Sequence, residues 1–109
     1  MSNETKTCLE RFARPEEQQI AKKLVRAILS RGYSISVYDS AEFNCGDVTD
    51  FDEVLSNLAT SGDDRVYFRN DKTRGYTGWF WLIWGNGEDV LTDYVDNVVC
   101  NQIVEELGL

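Results

Sequence analysis

The sequence predicts an α+β domain with a mixed or antiparallel sheet of about four strands and helices mainly on one face. Three observations predict this class. Apolar residues recur at helical spacing near both ends of the chain, they alternate at strand spacing between those segments, and turn residues separate the two patterns. A chain of 109 residues is long enough for one hydrophobic core and too short for two. We therefore predict a polar N-terminal tail over residues 1–14 and a single domain over residues 15–109.

The first element is an amphipathic helix over residues 15–31. Ile20, Leu24 and Ile28 recur every four residues and mark its buried face. Pro15 suits the first helical turn, where its missing N–H has no helical partner, and the two glutamates that follow favour the positive end of the helix dipole. An Arg-Gly pair at the end of the segment predicts the stop.

A strand and a short helix follow the first helix. Residues 33–38 alternate in polarity, which predicts a half-buried strand whose polar outer face carries Ser34, Ser36 and Tyr38. Asp50 precedes a helical apolar pattern and has a glutamate three residues later, which is typical of a helix start. The short helix that begins there ends at a Ser-Gly pair.

The remaining chain predicts three strands in a meander and a last helix. The strand segments are residues 65–69, 76–84 and 90–94, and Gly-rich turn sequences separate the last two of them. Asp96 or Asn97 then caps a C-terminal helix whose apolar residues share one face. The predicted order of elements is αβαβββα.

The strand that contains three tryptophans is apolar on both faces, whereas a strand with one solvated face alternates. One row carries Trp79, Trp81 and Ile83, and the opposite row carries Phe80, Leu82 and Trp84. Since the neighbouring strands have polar outer faces, we expect one aromatic row on an exposed sheet face beside Tyr38, Tyr67 and the arginines. The alternative is that a helix or the N-terminal tail covers that row. The aromatic candidates for a binding surface are Trp79, Trp81, Trp84 and Tyr67.

Charge is distributed unevenly along the chain. The net charge is −8, and it divides into +3 over residues 1–38 and −11 over residues 39–109. An acidic field repels nucleic acid and attracts basic protein surfaces, so we expect a basic protein partner and no direct binding of DNA or RNA. The alternative is that the acidity only maintains solubility. The acidic candidates for binding are Glu88, Asp89, Asp93 and Asp96.

The residue types do not favour catalysis. Histidine, the commonest general base and a common metal ligand, is absent, and no cysteine pair has zinc-ligand spacing. Carboxylate pairs such as Asp39 with Glu42 or Asp89 with Asp93 are the only acid–base candidates, and no acidic segment fits the spacing of an EF-hand calcium loop. We therefore predict no catalytic residue, no metal site, no cofactor and no enzymatic activity.

The expected location is the cytoplasm. The polar N-terminal sequence lacks the apolar segment of a signal peptide. The longest apolar run is far shorter than the roughly 20 residues that cross a bilayer, so no membrane partner is expected. The three cysteines are odd in number and widely spaced, which favours free thiols.

The stretch GWFWLIWGNGEDVLTDYVDN at residues 78–97 resembles a pattern in small uncharacterised phage- and prophage-encoded accessory proteins. The resemblance extends over most of the chain, and the amphipathic helix, the YSISVYD-like strand and the short helix before the tryptophan strand belong to it. The family brings no catalytic residues. The resemblance implies a phage context, a host cytoplasm and a protein that inhibits or redirects host machinery, as anti-CRISPR, anti-restriction and DNA-mimic proteins do.

Three hypotheses for function follow from these patterns. The first is a small acidic phage or mobile-element protein that binds a basic, often nucleic-acid-handling host protein through its carboxylates, with the aromatic strand as an apolar anchor. The second is a structural module that forms a homodimer through an aromatic sheet face. The third is a sensor of a small ligand or cation that uses the loop over residues 85–96.

Overall fold

The computed structural model describes residues 6–70 and 75–109. Its elements are α1 (Cys8–Phe12), α2 (Pro15–Ser30), β1 (Ser34–Tyr38), β2 (Phe43–Val48), α3 (Phe51–Ser56), β3 (Asp63–Arg69), β4 (Gly78–Ile83), β5 (Leu91–Tyr94) and α4 (Val98–Leu107). The strands form one sheet in the order β2-β1-β3-β4-β5, and every neighbouring pair is antiparallel. The predicted α+β class is confirmed, and the sheet is antiparallel rather than mixed.

The sheet has five strands instead of the predicted four, because β2 follows β1 as a hairpin. Its sequence, FNCGDV, contains Gly46 and Asp47, which are residue types depleted in strands, and it does not alternate in polarity. The pairing with β1 is irregular, and Asp47 has a positive φ of 51°. Tertiary pairing therefore makes a strand from a segment that has little intrinsic preference for one.

The helices begin close to the predicted positions, and α2 also ends there, but α3 ends at Ser56 instead of continuing to the Ser61-Gly62 pair. Asn97 caps α4 by accepting a hydrogen bond from Cys100 N at 2.8 Å, and Asp50 caps α3 in the same way from Glu53 N at 2.9 Å. Within the predicted polar tail, residues 8–12 form α1, which a Thr7–Glu10 capping box begins. Because Leu9 of α1 is fully buried, this part of the tail belongs to the packed fold.

The core lies between the sheet and the helices. Side chains alternate along β3 and β4, so that Val66, Phe68, Phe80 and Leu82 are completely buried while their sequence neighbours on the opposite face are only partly buried. The buried apolar residues of α1, α2, α3 and α4 belong to the same core cluster. In the part of the chain that the structure describes, the helices therefore cover one face of the sheet, as predicted.

The predicted polar outer face of β1 is less exposed than expected. Ser34 and Ser36 are 5% and 3% exposed because β2 bends over them. The hydroxyl oxygen of Ser36 accepts a hydrogen bond from Asp47 N at 2.9 Å, and the Ser34 hydroxyl lies 3.2 Å from Arg69 O. All three residues pair with β3 residues that project away from the core, so their predicted face is confirmed. Only Tyr38 remains accessible, so the predicted solvent exposure of the two serines is wrong.

Candidate functional site

One face of the sheet is not covered by any helix among residues 6–70 and 75–109. We call it the open face and define it by these residues: Tyr38, Phe43, Arg65, Tyr67, Arg69, Tyr76, Trp79, Trp81 and Asp93. Strand alternation and register place the strand residues there, because each projects away from the core or pairs directly with a residue that does. Tyr76 precedes β4 and joins them through its ring contacts with Tyr67 and Phe43. Phe43 and Tyr76 remain 48% and 43% exposed. Large aromatic side chains with this much accessible area are typical of interaction surfaces.

A row of five side chains crosses the whole open face. The register pairs Phe43 with Tyr38, Tyr38 with Arg65, Arg65 with Trp81, and Trp81 with Asp93. Directly paired residues of antiparallel strands project on the same face, with neighbouring strands about 4.8 Å apart. The row therefore runs from two aromatic rings through a cation and an indole to a carboxylate.

Arg65 occupies the centre of this row. Its guanidinium carbon lies 5.5 Å from the ring centroid of Trp79 and 5.0 Å from that of Trp81, which are cation–π distances. Within the described parts of the chain, no carboxylate forms an ion pair with Arg65, and its buried Nε has no hydrogen-bond acceptor. The open face thus holds a cation between two indoles that has no anionic partner among residues 6–70 and 75–109.

Four aromatic rings form a cluster beside Arg65. Tyr67 contacts Tyr38, Phe43 and Tyr76 at centroid distances of 6.5, 5.8 and 4.8 Å. Arg69 lies over the Tyr76 ring, and it also donates to Asp47 from Nε at 2.9 Å. The rings support one another, so the open face is a preformed surface that loses little conformational entropy on binding.

The three tryptophans lie in two different environments. Trp79 and Trp81 are on the open face, and the Trp81 indole N–H donates to Asp63 at 2.8 Å. Trp84 packs against the hydrophobic core instead, and its indole N–H donates to the buried Asp64 at 2.8 Å. The structure therefore separates Trp84 from the other aromatic candidates and makes it part of the fold.

The four acidic candidates do not form one cluster on the sheet. Asp93 belongs to the open face, where, within the described residues, its carboxylate accepts a hydrogen bond only from the N–H of the adjacent Tyr94. Glu88 and Asp89 lie in the 3₁₀ turn Gly87–Asp89 between β4 and β5. Asp96 follows β5 and accepts a hydrogen bond from the Asn101 amide at 2.8 Å. Only Asp93 thus joins the aromatic residues.

Two buried carboxylates were not singled out by the sequence. Glu17 is fully buried, and it accepts hydrogen bonds from the backbone N–H groups of Arg14, Gly85 and Gly87. Burial by itself would raise the pKa of Glu17, but these three donors and the nearby Arg14 charge outweigh it, and the pKa is lowered. The turn after β4 is therefore attached to the N-terminus of α2 through one carboxylate.

Asp64 is the second buried carboxylate, and its environment raises its pKa instead of lowering it. Its Oδ2 accepts from Ala59 N and from the Trp84 indole, whereas its buried Oδ1 has no partner in the described chain. Burial, together with the charges of Asp63 and Asp39, raises the pKa of Asp64 to about 7. No sequence signal identifies either group, because burial of a lone acidic residue depends on what packs around it.

Other features of the described residues do not assemble a chemical site. Burial raises the pKa of the Cys100 thiol to about 11 and also raises that of Cys45, so both thiolates are disfavoured. No group of three or more His, Cys, Asp or Glu side chains is placed to hold a metal ion among these residues. A cleft of about 410 Å³ between α1, α2 and α3 is lined by side chains of both charges, and it includes none of the predicted site residues.

Comparison with known proteins identifies no relative. No protein-family model, no curated protein and no solved structure matches the chain. No helix within residues 6–70 and 75–109 has the length and apolar character to span a membrane. The fold and the site therefore define this protein as an α+β domain with an antiparallel sheet, one face of which is open and aromatic.

Proposed function

We propose that this protein acts by binding another protein, and that the open face is its interaction surface. One observation supports this most directly: Trp79 and Trp81 flank an arginine on a sheet face that no described helix covers. Trp, Tyr and Arg are the residues most enriched at the energetic centres of protein interfaces. The disfavoured thiolates of Cys45 and Cys100 and the absence of histidine favour a binding protein over an enzyme.

A basic host protein is the first candidate partner. Its support is the net charge of −8, together with the resemblance to phage accessory proteins. Glu42 beside Phe43 and Asp93 on β5 are exposed carboxylates at the margin of the open face, where they can meet lysine or arginine side chains. In this proposal the aromatic residues provide the apolar anchor, and the protein inhibits or redirects its partner by occupying a surface.

A second copy of the chain is the other candidate partner. The observation in its favour is that the open face carries both a cation, Arg65, without an ion-pair partner among the described residues, and an accessible carboxylate, Asp93. Such a face is complementary to itself. Single-stranded nucleic acid also stacks on aromatic sheet faces. Here the carboxylate of Asp93 on the open face and that of Asp63, which accepts the Trp81 indole N–H beside it, oppose phosphate.

Site-specific photo-crosslinking in the expressing cell tests the interaction surface. Benzoylphenylalanine replaces Tyr76, which is 43% exposed on the open face, or Phe12, which is 68% exposed on α1 and serves as the matched aromatic control. We expect protein adducts from position 76 and none from position 12. The proposal is wrong if position 76 gives no adduct, or if both positions give the same adducts.

A further inference from the structure

We propose that the open face binds a second copy of this chain in a two-fold, face-to-face dimer, with Trp81 at the symmetry axis and Arg65 paired with Asp93 of the second copy. The inference rests on the proposed function, because it names the partner of the same surface. Its evidence is the order of side chains across three neighbouring strands.

The order Arg65, Trp81, Asp93 is equally spaced and self-complementary. Arg65 on β3 and Asp93 on β5 lie one strand to either side of Trp81 on β4, at about 4.8 Å per strand. A two-fold axis that runs along β4, between two facing sheets, exchanges β3 with β5. It places Trp81 against its own symmetry mate and sets each arginine opposite an aspartate of the other copy. Closed two-fold interfaces require this reciprocity.

Both charged groups lack an ionic partner within the described monomer. Arg65 forms no ion pair there and has a buried Nε without an acceptor, while the Asp93 carboxylate accepts only a local backbone N–H. In the dimer each receives an opposite charge close to the indole rings, where water is displaced and a charge-assisted pair is stronger than at an exposed surface. Sheets that pack face to face keep their strands within about 30° of each other, which this axis allows.

The size of the face predicts a weak dimer. With the axis along β4, only β3, β4 and β5 lie opposite the second copy, because β1 and β2 extend past its edge strand. Three strands about 4.8 Å apart and about six residues long cover a footprint of roughly 15 by 20 Å. This is well below the roughly 800 Å² that specific interfaces bury on each partner. Each copy also carries a net charge of −8, which opposes association. We therefore expect dissociation in the micromolar range.

Sedimentation equilibrium at about 1 to 300 μM protein and about 150 mM salt tests the dimer, with charge reversals as variants. Arg65→Asp and Asp93→Arg each create two like-charge contacts in a homodimer, and we expect each to weaken association at least about tenfold. A 1:1 mixture of the two variants restores both opposite-charge pairs in the heterodimer, as does the double variant in its homodimer. Recovery to within about threefold of the original protein is expected in both cases.

Lys23→Asp on α2 and Glu88→Arg before β5 are the matched controls, because both are exposed charge reversals outside the open face. They should leave association unchanged within about twofold. Circular dichroism checks that every variant is folded. If Arg65→Asp does not fold, Asp93→Arg still tests the dimer, because Asp93 is exposed and its substitution should not disturb the fold.

The dimer is excluded if the protein is monomeric at 300 μM, or if mixing the two variants fails to restore association. If the protein is monomeric but position 76 still forms adducts with a basic protein, the dimer proposal is wrong and the open face remains the proposed interaction surface. A monomer without any adduct at that position contradicts both proposals.

Discussion

At the scale of single residues, Asp63 and Asp64 are consecutive, yet each accepts a hydrogen bond from a different tryptophan on a different side of the sheet. Strand alternation is the cause, because successive side chains project to opposite faces. Asp63 lies on the solvent side of β3, whereas Asp64 is completely buried, has one oxygen without a partner and has a pKa raised to about 7.

The raised pKa of Asp64 predicts a stability that falls as pH rises. In the unfolded chain Asp64 ionises near its ordinary pKa of 3.8, so between about pH 4 and pH 7 the folded protein binds a proton that the unfolded chain has lost. The free energy of unfolding then decreases with pH by up to about 1.4 kcal/mol per pH unit from this group, and the decrease ends above about pH 7.

Asp64→Asn keeps an uncharged acceptor for Ala59 N and the Trp84 indole, so the variant should lack this pH dependence. We expect its stability relative to the original protein to increase between pH 5 and pH 8, measured by urea unfolding monitored with tryptophan fluorescence. Asp63→Asn, on the solvent side of the same strand, is the control and should show a smaller change. The prediction is contradicted if the free energy of unfolding of Asp64→Asn differs from that of the original protein by the same amount at both pH values.

At the scale of elements, the two faces of β4 differ in what they contribute to stability. Phe80 is completely buried and stacks with Phe68 at a centroid distance of 5.8 Å, whereas Trp79 is partly exposed and contacts Arg65. We expect Phe80→Ala to lower the free energy of unfolding by about 3 to 5 kcal/mol. Trp79→Ala should lower it by about 1 kcal/mol while abolishing partner binding or self-association.

Denaturant unfolding of both variants, with sedimentation and crosslinking of Trp79→Ala, checks this contrast. If the two substitutions lower stability by similar, large amounts, β4 contributes only to the core and the open face is not a separate surface. A Trp79→Ala protein that keeps its full association would exclude Trp79 from the interface.

The link between α2 and the turn after β4 depends on Glu17. Its carboxylate accepts hydrogen bonds from the N–H groups of Gly85 at 2.6 Å and Gly87 at 2.9 Å, as well as from Arg14 N at 2.8 Å. Since hydrogen bonds to a charged group contribute about 1.5 to 3 kcal/mol each, and unpaired buried donors are unfavourable, Glu17→Ala should lower stability by at least about 3 kcal/mol.

Glu16→Ala is the matched control for Glu17→Ala, because Glu16 is the exposed preceding residue in the same helical turn. It should change stability by no more than about 0.5 kcal/mol in a thermal or urea unfolding experiment. Equal effects of the two substitutions would show that the contacts of Glu17 with the turn do not stabilise the fold.

At the scale of the whole molecule, the distribution of charge predicts that the protein does not retain duplex DNA at about 150 mM salt. Binding to phosphate requires clustered Lys and Arg, whereas the net charge is −8 and Arg69 on the open face is paired with Asp47. A mobility-shift titration with duplex and single-stranded probes measures this. Submicromolar binding of either probe would contradict the expectation of a protein partner.

Much of the fold follows from patterns that are local in sequence. The amphipathic period of α2, the caps at Asp50 and Asn97, and the β3–β4–β5 meander were predictable, because each depends on residues within a few positions of one another. The tryptophan strand also predicted an aromatic surface, because both of its faces are apolar whereas the neighbouring strands have polar outer faces. Which face was exposed did not follow from that pattern.

Only the tertiary structure decided the features that depend on distant segments. The strand β2, the burial of Glu17 and Asp64, the core position of Trp84 and the row from Phe43 to Asp93 all require specific pairing or packing across the chain. Sequence periodicity states which side chains share a face of one strand, whereas strand register determines which of them meet across strands. The juxtaposition of Arg65, Trp81 and Asp93 is a property of that register, and therefore of the folded sheet.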